Sequence, residues 1–524
     1  MTVILDILDS NYLFEGVVVA LVLIFVSSFY RELADGLPFK GIHLVGRSRW
    51  EISNTKAKDR FVTSAKELIS EGFSQGRSVF QAMFTTGPTV VLHPKYINEI
   101  KSHPDLNFKD ALVKSFFGGQ FPGFEPFSGH DKEQIVLEII KKKLTHSLGQ
   151  LIGPLSRATA AVLKRKLPES EEWTLVTIAQ ECPHIVAGVS SSIFMGDKSC
   201  LDERWLDVSV NYTTDAFFAA RSLRQWPAIA RPFVHWVLPS TRKIRRHVAA
   251  ATQIVQEELK RRDMVRKGKL IDENPQKTHE DFLDWIDEFA AGRSLNTPMS
   301  QLSLAVASIH TTSNILTNIM YDLMAYPEHI QPLRDEIKAV VEEDGILKKT
   351  SLNKMKLMDS VMKESQRMHP VAIGTMNRLA EKEVVLSDGT RIPKGARTTL
   401  SSHILEDESI YPNAKVYDGF RFYNKRQEPG NEHRYQFVTT SPEQYVFGHG
   451  AHACPGRFFA SHEIKILLIH LIMKYDWKFA DRVERPPNIM HAVESICDPT
   501  VKTLYKTRQP EINVSTLEED ERMI

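Results

Sequence analysis

A chain of 524 residues, 42% hydrophobic and 25% charged, has ample apolar material for a large globular core. Its net charge of +1 at pH 7 leaves no electrostatic footprint for nucleic acid. Four scattered cysteines (Cys182, Cys200, Cys454, Cys497) exclude a disulfide framework and favour a reducing compartment, and no Pro/Gly/Ser-rich linker or repeat divides the chain.

The first element is apolar. "GVVVALVLIFVSSFY" (Gly16 to Tyr30) carries no charge, and Tyr12 to Phe14 extend it past Glu15. That is near the lower limit of about 17 residues for spanning a bilayer. A secretory signal is disfavoured by Asp6 and Asp9 in the leading segment and by the lack of an A-x-A cleavage site. Arg31, Lys40, Arg47 and Arg49 follow the span and no Lys or Arg precedes it, so the positive-inside rule places the bulk of the chain in the cytosol. The expectation is a single N-terminal transmembrane helix, with residues 1–36 as anchor and flank.

Beyond it, Lys56 to Glu71 and Asp131 to Leu148 read as helices, and "TVVLHP" (Thr89 to Pro94) reads as a strand closed by proline. Val248 to Lys269 is a charged, solvated helix, and Asn274 to Asp281 a polar loop. The clearest helix starts with Asn296 or Thr297 as cap and Pro298 in its first turn, and stops at Pro327. From Ser294 to Tyr321 it has no Asp, Glu, Lys or Arg. Ser308, His310, Thr311, Thr312 and Asn314 make it too polar for lipid, so it is a buried central helix, roughly 40 Å long. Leu352 to His369 is a helix ended by Pro370; "VVLSDGTRIP" (Val384 to Pro393) is a hairpin around Asp388-Gly389. Pro455 to Asp476 is a last helix, apolar nearly all round from Ile464 to Met473 and therefore buried. The fold class is mainly α with minor β.

The chemistry concentrates in "FGHGAHACPGRFFA" (Phe447 to Ala460). A zinc site there has only His449, His452 and Cys454, where structural zinc takes four ligands. Gly448, Gly450 and Ala453 match G-x-G-x-x-A, but too little chain follows to build a doubly wound sheet. A thiolate aimed at a bulky cofactor uses every feature. Cys454 precedes Pro455 at a helix start, where backbone N–H groups stabilise a thiolate. Gly448, Gly450 and Gly456 clear space for a flat ligand, and Phe447 adds an apolar lid. Such a cysteine suits a haem iron.

On these residues the chain resembles the cytochrome P-450 family, whose haem signature F-x-x-G-x-R/H-x-C-x-G is matched by Phe447, Gly450, His452, Cys454 and Gly456. His452 stands where most members have Arg, which makes its pairing with a haem propionate weaker and pH-dependent. "KESQRMHP" carries the family's E-x-x-R as Glu364 and Arg367, and "YDGFRFY" supplies Arg421 for a Glu364–Arg367–Arg421 network that locks the fold. Arg378 matches an arginine that reaches a haem propionate; a surface arginine is the alternative. "ASIHTTS" matches the oxygen-binding segment of the central helix, with Thr311 as its threonine, Ser308 in place of glycine and His310 in place of the acid. These departures, with "PEHIQPLRDEI" and "HACPGRFFA", resemble the fungal ent-kaurene-oxidase-like group.

The resemblance implies a haem-thiolate monooxygenase catalytic domain over 37–510, followed by an acidic tail, 511–524. It implies haem b ligated by Cys454, Thr311 as hydrogen-bond donor at the oxygen site and His310 as a proton source. Electrons come from NADPH through a reductase, with cytochrome b5 as an optional second donor; Lys141 to Lys143 and Arg457 are candidate contacts. The substrate is a large apolar secondary metabolite, a terpenoid or polyketide–terpenoid hybrid. Phe116, Phe117, Phe121, Phe124 and Phe127 wall its pocket or form a local core. The location is the endoplasmic reticulum membrane, single-pass, with the catalytic domain in the cytosol, so the Asn211 and Asn513 sequons stay unmodified. The rivals are a reductase-independent isomerase or dehydratase and a non-enzymatic haem-thiolate sensor.

Overall fold

The computed structural model describes residues 15–23, 36–51, 53–128, 134–271, 279–290 and 292–512. Its strands, in chain order, begin with β1 (Leu44–Val45), β2 (Val79–Phe84), β3 (Gly87–Leu92), β4 (Leu106–Asn107) and β5 (Thr174–Val176). After a long helical stretch come β6 (Gly374–Ala380), β7 (Val384–Val385), β8 (Arg391–Ile392) and β9 (Arg397–Ser401). The last are β10 (Tyr475–Phe479), β11 (Ile489–His491), β12 (Glu494–Ile496) and β13 (Thr503–Thr507). One sheet runs β1-β2-β3-β9-β6-β4, a second β10-β13-β5, and β7–β8 and β11–β12 are hairpins. The β7–β8 hairpin turns at Asp388-Gly389, as the turn chemistry predicts.

Helices carry the rest. Those that position the site are α1 (Thr55–Ser74), α2 (Ile152–Lys166), α3 (Ile178–Phe194), α4 (Glu203–Arg224), α5 (Arg231–Val237) and α6 (Pro239–Arg266). They are followed by α7 (Thr297–Ala325), α8 (Lys356–Met368) and α9 (Arg457–Lys474). α7 is the predicted central helix: the Asn296 side chain accepts the Met299 N–H, Pro298 sits in the first turn, and Pro327 follows the end. Its buried polar groups bond back along the helix. Thr317 Oγ1 donates to the Ser313 carbonyl at 2.8 Å and Asn318 Nδ2 to the Asn314 carbonyl at 2.8 Å. α9 is buried from Phe459 through Met473, apart from Ala460, against α2 and α7, which places the chain's largest apolar cluster between these helices.

Three boundaries differ from expectation. α6 begins at Pro239, nine positions ahead of Val248, because Pro239 itself starts it. Leu352 to His369 is two helices, Lys349–Lys354 and α8, broken at Met355 with ψ 75°. Asp131 to Leu148 is helical from Ile135, with a π-turn over Ile140–Leu144 in which Thr145 Oγ1 donates to the Ile140 carbonyl at 2.8 Å. Residues 15–23 are helical, with exposed Val17, Leu21 and Leu23. Among the described residues no helix is long and apolar enough to cross a membrane. The remainder of the expected anchor, most of the loop before Asp281, and Asn513 with the tail beyond it lie outside the described residues.

Candidate active site

The loop before α9 folds back on itself. The Cys454 N–H donates to the Phe447 carbonyl at 2.7 Å, and Gly448 and Gly450 take φ of 71° and 76°, the left-handed region. A side chain at Gly450 is excluded twice, because its Cβ would also lie 2.7 Å from the Lys101 carbonyl oxygen. Gly456 is different: a Cβ there meets no protein atom within 4 Å, so nothing in the protein's own packing requires glycine. Phe447 is half-buried and meets Phe437 edge-on at 5.2 Å.

Cys454 is half-buried at the start of α9, with the N–H groups of Gly456 and Arg457 directed at it. Burial pushes its thiol above the ordinary range; those N–H groups and the Arg457 charge pull it down without prevailing. A bound metal cation deprotonates a coordinating thiol outright.

α7 is buried on nearly every side except at Ala307 and Thr311, one turn apart and both exposed in the middle of an interior helix. That opening has the place expected for a flat ligand. Thr311 Oγ1 donates to the Ala307 carbonyl at 2.9 Å. His310 points elsewhere: its Nε2 donates to the Val210 carbonyl of α4 at 2.8 Å, and burial lowers its pKa. For His310, expected as a proton source, the structure shows a hydrogen bond between two helices. At 100° per residue, the His310 side chain leaves the helix about 100° round from that of Thr311, which brings it to α4.

Arg378 sits on β6, buried at 2% exposure. Nη1 donates to the Asn377 carbonyl at 2.8 Å, while Nε and Nη2 have no partner. Burial depresses its pKa to about 10. A buried guanidinium with idle donors is costly unless an anion completes it. Exposed His452 lies nearby, with Phe108 between: the Arg378 guanidinium is 5.7 Å and the His452 ring 6.5 Å from the Phe108 ring. Burial, and then the charges of Arg378 and Lys141, lower the His452 pKa. The open face of α7, the uncrowded Gly456 and the orphaned Arg378 fit the wide, anionic haem that the sequence implies.

Beneath the loop, Glu364 and Arg367 are fully buried and paired twice, Nη2 to Oε1 at 2.7 Å and Nε to Oε2 at 2.9 Å. Arg421 Nε reaches the same Oε1 at 3.0 Å. Sequence reasoning missed a second buried cluster beside it. Asp359 pairs with Lys465 at 2.8 Å and Arg426 at 3.4 Å, and accepts the Phe437 N–H at 2.7 Å. Lys363 Nζ donates to the Gln436 and Thr439 carbonyls at 2.8 and 3.0 Å, and burial lowers its pKa to about 7. The signal was present: Asp359 and Lys363 are one helical turn apart.

The five phenylalanines divide. Phe117, Phe124 and Phe127 are core, half-buried Phe121 packs on the His235 ring at 4.9 Å, and half-buried Phe116 stacks on Phe127 at 4.4 Å and meets Phe217 of α4 at 4.6 Å. Of the basic residues considered for docking, Lys142 pairs with Glu138 and Lys143 with Glu280 and Glu288. Arg457 donates to the Cys454 and Val438 carbonyls, so it belongs to the loop and not to a docking face. Lys141 is exposed.

A sequence model of the family described as Cytochrome P450 matches residues 66–506. "Cytochrome P450 monooxygenase esdpI" of Penicillium shearii is 35% identical over 97% of this chain and 99% of its own length. "Cytochrome P450 monooxygenase hepE" of Aspergillus oryzae is 40% identical over 82% of this chain and 79% of its own. "Cytochrome P450 monooxygenase trt6" of Aspergillus terreus is 38% identical over 88% and 93%.

Proposed function

The chain belongs to the cytochrome P450 family, and on that premise we propose that it is a membrane-anchored monooxygenase of the endoplasmic reticulum acting on a large apolar secondary metabolite, a terpenoid or a polyketide–terpenoid hybrid. Haem b, when bound, supplies a thiolate-ligated iron that activates dioxygen with electrons from NADPH delivered by a reductase. One oxygen atom enters a C–H bond and the other leaves as water.

The chain's own residues divide the work. Cys454 would hold the iron, and the hydrogen bond from its N–H to Phe447 fixes the loop that presents its sulfur. Arg378 would take a haem carboxylate with its two idle donors, and His452 would add a weaker contact. Thr311 holds its hydroxyl proton on the Ala307 carbonyl; rotation about χ1 turns the same proton towards the open side of α7. Glu364, Arg367 and Arg421 hold the segment below the loop. Phe116 and Phe217 give the substrate an apolar wall.

Membrane attachment is supported by two observations. Residues 15–23 form an exposed apolar helix, and Ile229, Phe233, Trp236 and Val237, in and just before α5, are 71%, 75%, 55% and 60% exposed. Exposed aromatic and aliphatic side chains clustered in this way suit a lipid interface. The reductase is expected to use the face that carries Lys141, with cytochrome b5 as an optional second donor.

The observation that carries the reading is Cys454 at the start of α9, in a chain whose buried α7 is open at Ala307 and Thr311. The purified protein, reduced under carbon monoxide, should show the red-shifted Soret band of a thiolate-ligated haem, and Cys454→Ala should lose it. An Ala variant that keeps the band would assign the iron to another ligand. With a reductase and NADPH, candidate terpenoids should gain one oxygen atom by mass spectrometry; turnover without NADPH would instead mark an isomerase or dehydratase.

A further inference from the structure

One charged group lies beside the apolar site. Arg221, exposed on α4, is one turn beyond Phe217, so it lies on the face that meets Phe116. It donates from Nη1 to His491 Nε2 on the β11–β12 hairpin. Among the described residues Arg221 forms no ion pair, and Nε and Nη2 remain for a ligand.

The hairpin is held firmly over α7. Asn314, one turn past Thr311, donates to the Ser495 carbonyl at 3.1 Å and accepts the Cys497 N–H at 3.0 Å. The Ala492 N–H reaches the Val62 carbonyl at 2.8 Å, and the Ile373 N–H reaches the Val493 carbonyl at 2.8 Å. His491 and Glu494 are register partners, so their side chains share a face of the hairpin. Arg221 joins them there. Glu494 is half-buried without a side-chain hydrogen bond, and burial raises its pKa against the pull of Arg221. Burial and the Arg221 charge lower the His491 pKa. The guanidinium thus stands beside an imidazole and a half-buried carboxyl, with Nε and Nη2 uncommitted.

We propose that Arg221, positioned by His491, selects substrates bearing a carboxylate at the end of the skeleton remote from the C–H bond oxidised. This rests on the monooxygenase reading above and adds the polar handle of its substrate. The geometry favours it because α4, the hairpin and α7 are tied pairwise, His310 to Val210 and Asn314 to Ser495, around the open face of Ala307 and Thr311. An apolar skeleton against Phe116 and Phe217 would leave its charged end at Arg221. A guanidinium–carboxylate contact of this kind is bidentate and charge-assisted.

Abietic acid and methyl abietate differ only in the carboxyl group and serve as the probe pair. The full-length, haem-loaded protein is titrated with each, following the haem absorption shift and, independently, binding heat. The acid should bind about tenfold tighter or more than the ester, the range expected of one charge-assisted contact. Arg221→Leu should bring the two within about twofold by weakening the acid alone, Arg221→Lys should keep part of the preference, and Glu494→Gln should tighten the acid. Equal binding of acid and ester, binding of neither, or an undiminished preference in Arg221→Leu would overturn the inference. The carbon monoxide band is recorded on the same samples. Its absence from the wild type would overturn the monooxygenase reading and this inference with it, whereas a normal band with equal binding removes this inference alone.

Discussion

Thr311 and His310 are adjacent in sequence and face different neighbours, and that difference sets their expected roles. Thr311 lies on the open side of α7, its hydroxyl held on the Ala307 carbonyl. His310 holds α4 to α7 through Val210. Thr311→Ala should therefore consume NADPH at a near-normal rate while releasing more of the reducing power as peroxide and less as product. His310→Phe should remove an interhelical hydrogen bond and lower stability by about 1 kcal/mol, with the ratio of product to NADPH unchanged. A leak to peroxide in His310→Phe equal to that in Thr311→Ala would return the histidine to the proton pathway. The motif alone told nothing of this split, because helical phase relative to a distant partner is not written in seven residues.

At the scale of elements, α9 contains a buried group that the chemistry does not use. Glu463 is fully buried against α3, its Oε1 accepting from Ser190 Oγ at 2.6 Å and its Oε2 without a partner. Burial raises its pKa to about 8. The sign follows directly: an unfolded chain ionises this carboxyl near pH 4.5, while the folded protein keeps it protonated up to about pH 8. Its contribution to stability is thus complete below the unfolded pKa and is lost as pH rises towards 8. Glu463→Gln should flatten that slope, so the variant gains on the wild type in chemical denaturation between pH 5 and pH 8. A parallel pair of pH profiles would mean that the carboxyl is ionised in the folded state. The α8 clusters are of another kind. Glu364 with Arg367 and Arg421, and Asp359 with Lys465 and Arg426, are charges matched by charges inside the fold, where removal of one partner is expected to cost more than the pair contributes.

For the whole molecule, the proposed membrane attachment would use two apolar surfaces, at residues 15–23 and around α5. Removing residues 1–30 should shift the protein only partly into the soluble fraction, and adding Phe233→Ser and Trp236→Ser should complete the shift, measured by carbonate extraction of membranes. Full release by the truncation alone would leave the α5 surface with no part in attachment. Much of this molecule was legible in the sequence for local reasons. Caps and prolines fixed the ends of α7, Asp388-Gly389 made its hairpin, and the nearly all-apolar run of α9 required burial. The spacing around Cys454 pointed to the loop because glycines with positive φ and a helix start are determined by neighbours in the chain. Other features depend on segments hundreds of positions apart, whose contacts no local pattern encodes. Tertiary structure alone turned His310 towards Val210, left two donors of buried Arg378 idle, committed Arg457 to its own loop and brought Arg221 to His491. Burial is likewise a property of the assembled fold, and it is burial that outweighs the helix start in setting the Cys454 thiol.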